Sequence, residues 1–132
     1  MIGIVVVGHG QVAVELVNAA RTIVGDIPGI EAVSIGWNDD VSVAHAAILK
    51  AMEAVGGGET LVLTDMFGGT PTNVSLPFLS SRVEIVTGVN LPMLIKVSSL
   101  REGDLLEVAR AIRDQGRGAI SVATEVLGRR PA

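Results

Sequence analysis

The chain has 132 residues and a net charge of −4 at pH 7, from 10 Lys and Arg against 14 Asp and Glu, and its length predicts a single domain over residues 1–132. The absence of cysteine excludes disulfides, thiolate metal sites and thiol catalysis, and an acidic pI near 5.0 with one Trp, two Phe and no Tyr argues against a nucleic-acid surface. No uncharged stretch reaches the roughly 20 apolar residues of a membrane span, and no basic segment precedes the apolar N-terminus, so we expect a cytoplasmic protein that does not insert into a membrane.

The first half of the chain alternates strand patterns with helix patterns. Short apolar runs rich in β-branched residues are typical of buried strands, whereas apolar residues three and four positions apart indicate the inner face of a helix. On these criteria we predict strand 2–7, helix 12–24, strand 30–35 and helix 41–55. Asp39 and Asp40 precede the second helix and are expected to cap its N-terminus.

The second half continues this alternation. We predict strand 60–64, a short helix, strand 83–87, helices 92–100 and 104–115, and a fifth strand at 119–124. Thr70 is expected to cap the short helix with Pro71 at its first position, and Pro77 to kink or shorten it because proline removes a hydrogen-bond donor. Gly116 and Gly118 are expected to form the turn before the fifth strand.

The alternation predicts an α/β fold, a doubly wound and mainly parallel sheet in the order 2-1-3-4, flanked by helices and followed by a fifth C-terminal strand. In such sheets, ligands bind beyond the carboxyl ends of the strands where the strand order reverses, here between strands one and three. We therefore expect the functional site at this crevice. Trp37, Asn38 and Asn90 follow strands two and four and are expected at the same edge.

The crevice is predicted to bring an imidazole and a carboxylate together. His9, flanked by two glycines, follows strand one, and Asp65 follows strand three. A carboxylate that binds one ring nitrogen fixes the tautomer and leaves the lone pair of the other nitrogen as a nucleophile. It also stabilises positive charge on the ring during attack.

Glycine-rich turns flank this pair. Backbone N–H groups at the helix start after Gly10, and in the loop formed by Gly68, Gly69 and Thr70, are expected to bind phosphoryl oxygens. A rigid site of this kind suits phosphoryl transfer, which depends mainly on positioning and electrostatic stabilisation. The acidic residues 39–40 lack a third ligand, so we expect no metal site, and the transfer requires no cofactor.

Residues 8–13 also match the dinucleotide fingerprint G-x-G-x-x-A after a strand. The chain is too short for two mononucleotide-binding halves, and strand two ends in Gly36-Trp37 rather than in an acidic ribose ligand. A Walker-type G-K-[ST] does not occur, which argues against an ATP-dependent kinase. A nucleotide-binding flavodoxin-like domain stays an alternative.

Three blocks of the sequence resemble a known family. IVVVGHG contains His9, TDMFGGTPTN contains Asp65, and GVNLPML covers residues 88–94. Together they resemble the enzyme IIA domains of the mannose family, which belong to the bacterial phosphoenolpyruvate-dependent sugar phosphotransferase system, over about residues 1–122. Met66-Phe67 departs from better-known relatives, which have a small residue followed by Trp at this place.

The resemblance implies a phosphotransferase component with a phosphohistidine intermediate. His9 would accept a phosphoryl group on Nε2 from the phosphocarrier HPr and pass it to an enzyme IIB component, here a separate chain, for sugar uptake. Asp65 matches the aspartate that hydrogen-bonds the active histidine in the family, and residues 68–70 match its loop. The family forms homodimers in which a C-terminal strand can cross to the partner, a role that would fall to residues 119–124.

Two related interpretations stay open. One is a regulatory sensor of phosphorylation state in an incomplete phosphotransferase system, since a phosphoryl group adds up to about two negative charges to an interface. The other is the phosphotransferase subunit that serves dihydroxyacetone kinase, whose N-terminal domain shares this fold, although the TDMFGGTP block favours the mannose family. The sequence does not specify the sugar.

Overall fold

A computed structural model describes residues 1–130 of the chain. Its elements are the strands β1 Gly3–His9, β2 Ile30–Ile35, β3 Thr60–Thr64 and β4 Val83–Thr87, the helices α1 Val12–Val24, α2 Val41–Ala54, α3 Thr70–Ser75, α4 Leu91–Val97, α5 Leu105–Gly118 and α6 Ala123–Leu127, and a 3₁₀ turn at Leu76–Phe78. The four strands and the first five helices correspond to predicted elements. None of the helices in the described residues is long and apolar enough to cross a membrane.

The four strands form one parallel sheet in the order β2-β1-β3-β4, which confirms the predicted order. In this sheet Val7 of β1 lies opposite Val33 of β2 and Thr64 of β3. The strand order reverses between β1 and β3. The crevice at their carboxyl ends therefore lies beside His9, the last residue of β1.

β1 is buried on both faces, as its apolar run predicts. Ile4 and Val6 pack in one layer with α1, α4 and α5, and Val5 and Val7 pack in the other layer with α2 and α3. All four side chains are fully buried, and each contributes about 1.5–3 kcal/mol relative to an exposed side chain. The central strand is therefore a firm support for the residue at its end.

The helix starts agree with the predicted caps at α2 but not at α3. Asp40 caps α2, and its side chain accepts a hydrogen bond from a backbone N–H of the first turn at 3.3 Å. The prediction for Thr70 is wrong, because Gly69 is the N-cap of α3 and Thr70 its first residue. Gly69 takes the cap position because its extended backbone passes too close to the His9 ring for a side chain to fit. Pro77 follows the end of α3, as predicted, within the 3₁₀ turn.

The predicted fifth strand at residues 119–124 is wrong for this chain. α5 continues through both glycines to Gly118, and the segment that follows leads into α6. Gly116 does not turn the chain but packs against α4, where a Cβ would lie 2.5 Å from Met93 Sδ. A strand also needs a neighbouring backbone for its hydrogen bonds, and in the part of the chain that the structure describes this segment pairs with none. Ile120 is consequently 78% exposed.

A buried arginine closes the opposite, amino end of the sheet. Arg101 follows α4 and is only 6% exposed. Its guanidinium donates to the Ile2 carbonyl from Nε at 3.0 Å and from Nη2 at 2.7 Å, to the Gly29 carbonyl at 2.9 Å, and to that of Pro28. Burial lowers the pKa of Arg101, although the nearby Glu102 carboxylate acts in the opposite direction. This side chain ties the starts of β1 and β2 together.

Candidate functional site

His9 stands where β1 turns into α1, between two glycines. A Cβ on Gly8 would lie 3.1 Å from the Ala13 nitrogen, so glycine lets the helix begin this close to the strand. Gly10 has a φ of +52°, in the left-handed region that favours glycine, and its N–H donates to the Ile35 carbonyl at 2.9 Å. This tight turn leaves the His9 side chain 22% exposed in the crevice.

Asp65 joins His9 as predicted. It directly follows β3, and its N–H donates to the Val7 carbonyl at 3.2 Å, so the carboxylate lies at the same level of the sheet as the ring. Its Oδ2 accepts hydrogen bonds from the His9 backbone N–H at 2.8 Å and from the His9 Nδ1 at 2.7 Å. One carboxylate oxygen therefore fixes both the backbone and the ring of His9.

The hydrogen bond to Asp65 determines which ring nitrogen is free. An ionised carboxylate only accepts hydrogen bonds, so Nδ1 carries the proton and, in the neutral ring, Nε2 has the lone pair. The other carboxylate oxygen, Oδ1, is buried and has no hydrogen-bond partner among residues 1–130. The Asp65 side chain is 14% exposed, which strengthens its attraction for positive charge on the ring.

The glycine loop lies against the free edge of the His9 ring. A Cβ on Gly69 would lie 2.7 Å from His9 Cε1 and 3.2 Å from Nε2, so any side chain there would displace the ring or the loop. Gly68 has a φ of +85°, which also favours glycine. The loop therefore brings its backbone, without side chains, next to the nucleophilic nitrogen.

A buried hydroxyl pair holds this loop. Thr72 Oγ1 donates to the Met66 carbonyl at 2.5 Å and lies 2.7 Å from Thr64 Oγ1, and both threonines are fully buried. This role of Thr72 was not predicted from the sequence. A threonine inside a short helix, one residue after proline, was the available signal, because a hydroxyl buried there needs a partner.

Trp37 also reaches the site, as predicted. Its ring and that of His9 are stacked, with centroids 5.4 Å apart and planes inclined by 24°. The indole is nevertheless 80% exposed to solvent. It is thus an aromatic side chain at the surface that covers one face of the candidate nucleophile.

Two other residues predicted near the site, Asn90 and Thr70, make no hydrogen bond to His9 within residues 1–130. Asn90 caps α4, accepting from the Met93 N–H at 3.2 Å, and its amide donates to the Gly116 carbonyl at 3.1 Å. Thr70 is exposed in the first turn of α3. The N–H of Gly10 is already bonded, so the donors left after this turn are those of the residues that follow it.

The acidic residues before α2 have structural roles. Asp39 Oδ2 accepts from the Gly36 N–H at 2.7 Å, and Asp40 caps the helix. Within residues 1–130, no group of three or more His, Cys, Asp and Glu side chains is arranged to hold a metal ion.

A groove of about 560 Å³ lies beside the site, along the outer edge of β4. Phe67 of the glycine loop lines one end, and Val86 of β4 and Ile120 after α5 line other parts of it. Phe67 and Ile120 are 72% and 78% exposed, so the groove presents apolar surface to solvent.

Residues 3–112 match the protein family described as "PTS system fructose IIA component" (EIIA-man). The chain is 32% identical over 122 residues to the PTS system fructose-specific EIIA component of Bacillus subtilis (strain 168), a match that covers 87% of this chain and 84% of that protein. It is 30% identical over 113 residues to the PTS system mannose-specific EIIAB component of Escherichia coli (strain K12), covering 78% of this chain and 33% of that longer protein.

Solved structures show the same similarity. The mannose/sorbose specific IIA subunit of the phosphotransferase system from Enterococcus faecalis superimposes with a TM-score of 0.84 at 28% sequence identity, covering 92% of this chain and 93% of that one. Both sequence and fold therefore point to the same family.

Proposed function

The chain belongs to the PTS system fructose IIA component family and so has a phosphotransfer role in a sugar phosphotransferase system, and from this premise we propose that His9 carries the phosphoryl group. In this proposal HPr is the donor, an enzyme IIB component is the acceptor, and sugar uptake is the purpose. The observation that supports it is the 2.7 Å hydrogen bond between His9 Nδ1 and Asp65, which leaves Nε2 as the nucleophile.

The proposed step is an in-line displacement at phosphorus. The Nε2 lone pair forms a bond to phosphorus while the bond between phosphorus and the donor breaks, and its electron pair stays with the donor. Nδ1 keeps its proton, so the ring gains positive charge, which the Asp65 carboxylate stabilises. Transfer to the acceptor is the same step in reverse, with His9 as the leaving group.

The phosphoryl oxygens are proposed to bind to backbone N–H groups on both sides of Nε2. One set follows Gly10 at the start of α1, where the first N–H groups of a helix have no partner within the helix. The other belongs to the loop of Gly68, Gly69 and Thr70, with the exposed Thr70 hydroxyl as a further donor. The close contact of Gly69 with the ring supports this arrangement.

We further propose that the protein is a homodimer in which the second copy covers the apolar groove along β4. The outer edge of β4 binds no strand in the described residues, and an unpaired edge beside exposed apolar side chains favours association. Sedimentation equilibrium tests this: wild type is expected to be dimeric and Ile120→Glu shifted toward monomer. A monomeric wild type at micromolar concentration would contradict the proposal.

The decisive experiment uses phosphoenolpyruvate, enzyme I and HPr, followed by intact mass. Wild type is expected to gain one acid-labile phosphoryl group, and His9→Ala to gain none. The chain has two histidines, and His45, which is exposed and stacks on Phe78 at 4.5 Å, provides a matched control. His45→Ala should be labelled like wild type.

The same reaction separates the alternatives. Onward transfer from phosphorylated His9 to an added enzyme IIB supports sugar uptake, and a stable phospho-form that alters binding of another protein supports the regulatory interpretation. Equal labelling of wild type and His9→Ala would reject the proposal. A flavin or dinucleotide retained through purification would support the nucleotide-binding interpretation instead.

A further inference from the structure

Trp37 is both highly exposed and in contact with the ring of His9. Its side chain is 80% exposed, yet it lies in a defined stack on His9, with centroids 5.4 Å apart and an angle of 24° between the rings. A large exposed aromatic side chain gains little from burial in this position. Its contact with the ring of the proposed nucleophile is therefore the feature that needs an explanation.

The backbone that carries Trp37 is tied on both sides. Gly36 precedes Trp37, and its N–H donates to Asp39 Oδ2 at 2.7 Å. The Asp39 N–H in turn donates to the Gly36 carbonyl at 3.2 Å. A Cβ on Gly36 would lie 2.8 Å from Asp39 Oδ1, so this turn closes tightly. After it, Asp40 caps α2. These hydrogen bonds fix the backbone at residues 36–40 and thereby restrict the direction in which the Trp37 side chain leaves it.

The His9 ring is held independently, through its Nδ1 bond to Asp65 and its contact with Gly69. Asp65 binds the ring in its plane, Gly69 lies at its free edge, and Trp37 lies over its face. These three neighbours contact different parts of one imidazole. Trp37 is the aromatic neighbour among the three, and the face of an indole can attract a positive charge without forming a hydrogen bond.

The ring becomes positive when Nε2 bonds to phosphorus, because Nδ1 keeps its proton. A cation within about 6 Å of an indole centroid is attracted to the negative face of the ring, and tryptophan is the strongest aromatic partner for it. We propose that Trp37 is a positioning residue for phosphoryl transfer, which orients the His9 ring and stabilises its positive, phosphorylated form. This inference rests on the proposed function.

The first test compares transfer rates for two donors, phosphorylated HPr and the small molecule phosphoramidate. Trp37→Ala is expected to be slower by about 3- to 30-fold with both donors, and Trp37→Phe to recover part of the rate. Ile23→Ala is the control, because Ile23 is an apolar side chain that is 57% exposed in the last turn of α1, at the end of that helix opposite to His9. A loss with HPr alone would show that Trp37 only contacts the partner, and would overturn the proposal.

The second test does not depend on phosphoryl transfer. In carbon–proton NMR spectra, the indole ring current should shift the His9 ring protons of wild type upfield, and Trp37→Ala should remove that shift while the His45 ring protons stay unchanged. Unchanged His9 resonances would mean that the rings do not stack and would overturn the proposal.

The outcomes also separate this inference from the proposed function. If wild type takes no phosphoryl group from either donor, both fail together. If wild type is labelled on His9 and all Trp37 variants react at the wild-type rate, only the role of Trp37 fails.

Discussion

The two ends of the sheet use buried charge in opposite ways. At the amino end, the Arg101 guanidinium is buried and makes four hydrogen bonds to three carbonyls, which link β1 and β2. At the carboxyl end, Asp65 binds His9 through one oxygen, and its other oxygen is buried with no partner in the part of the chain that the structure describes. A fully satisfied charge stabilises the fold, whereas an incompletely satisfied one remains available for chemistry.

The largest effect is expected at the amino end. Arg101→Met should lower the free energy of unfolding by about 3–5 kcal/mol, because it removes four hydrogen bonds to buried carbonyls, of which that of Gly29 keeps the bond from the Ile4 N–H. Urea denaturation measures this change. Arg113→Met is the control, since Arg113 pairs with Asp114 at the surface and should change stability by less than about 0.5 kcal/mol. Similar losses for both variants would contradict the contrast between the two ends.

Asp65→Asn should show the reverse pattern at the carboxyl end. Phosphoryl transfer to His9 is expected to fall by about 100-fold or more, because the amide cannot stabilise positive charge on the ring. Stability should change by less than about 1 kcal/mol, since the amide has nearly the same shape, its oxygen can accept both bonds from His9, and its NH2 replaces an oxygen that already has no partner among residues 1–130. The rate of phosphohistidine formation and urea denaturation, measured on the same preparation, test both parts. Loss of folding instead of rate would show that Asp65 is mainly structural.

Gly69→Ala sharpens the comparison by altering geometry without charge. The new methyl group would lie 2.7 Å from His9 Cε1, so the ring or the loop must shift, and we expect the transfer rate to fall about tenfold. Gly118→Ala is a suitable control, since a Cβ at Gly118, the last residue of α5, meets nothing within 4 Å. Its rate should equal that of wild type. A Gly69→Ala rate as high as this control would show that the loop does not confine the ring.

The smallest effect is expected from Thr72→Val. The substitution keeps the shape but removes the hydrogen bonds to the Met66 carbonyl and to Thr64, and should cost about 1–2 kcal/mol of stability. Because Thr72 acts on the loop and not on the ring, the transfer rate should fall less than in Gly69→Ala. Thermal unfolding followed by circular dichroism measures the stability change. An unchanged melting temperature would show that water replaces the lost partners.

Most of the site could be predicted because parallel strands end at one edge. The positions of His9 at the end of β1 and of Asp65 directly after β3 meet because of the strand order, and the strand order follows from the alternation of strands and helices. The hydrogen bond between them spans 56 residues, yet it needed only the correct topology. Thr72 was missed because a small polar residue in a short helix has several equally ordinary partners.

The sequence by itself determined the four strands of the sheet and the side chains at their ends, because the burial pattern of a strand or helix is local and repeats with a fixed period. Only the tertiary structure decided that Trp37 covers the His9 ring, that Arg101 bonds to Ile2 99 residues away, and that residues 119–124 form no strand. Each of these depends on which distant backbone or ring lies within reach, and no local periodicity encodes such a distance.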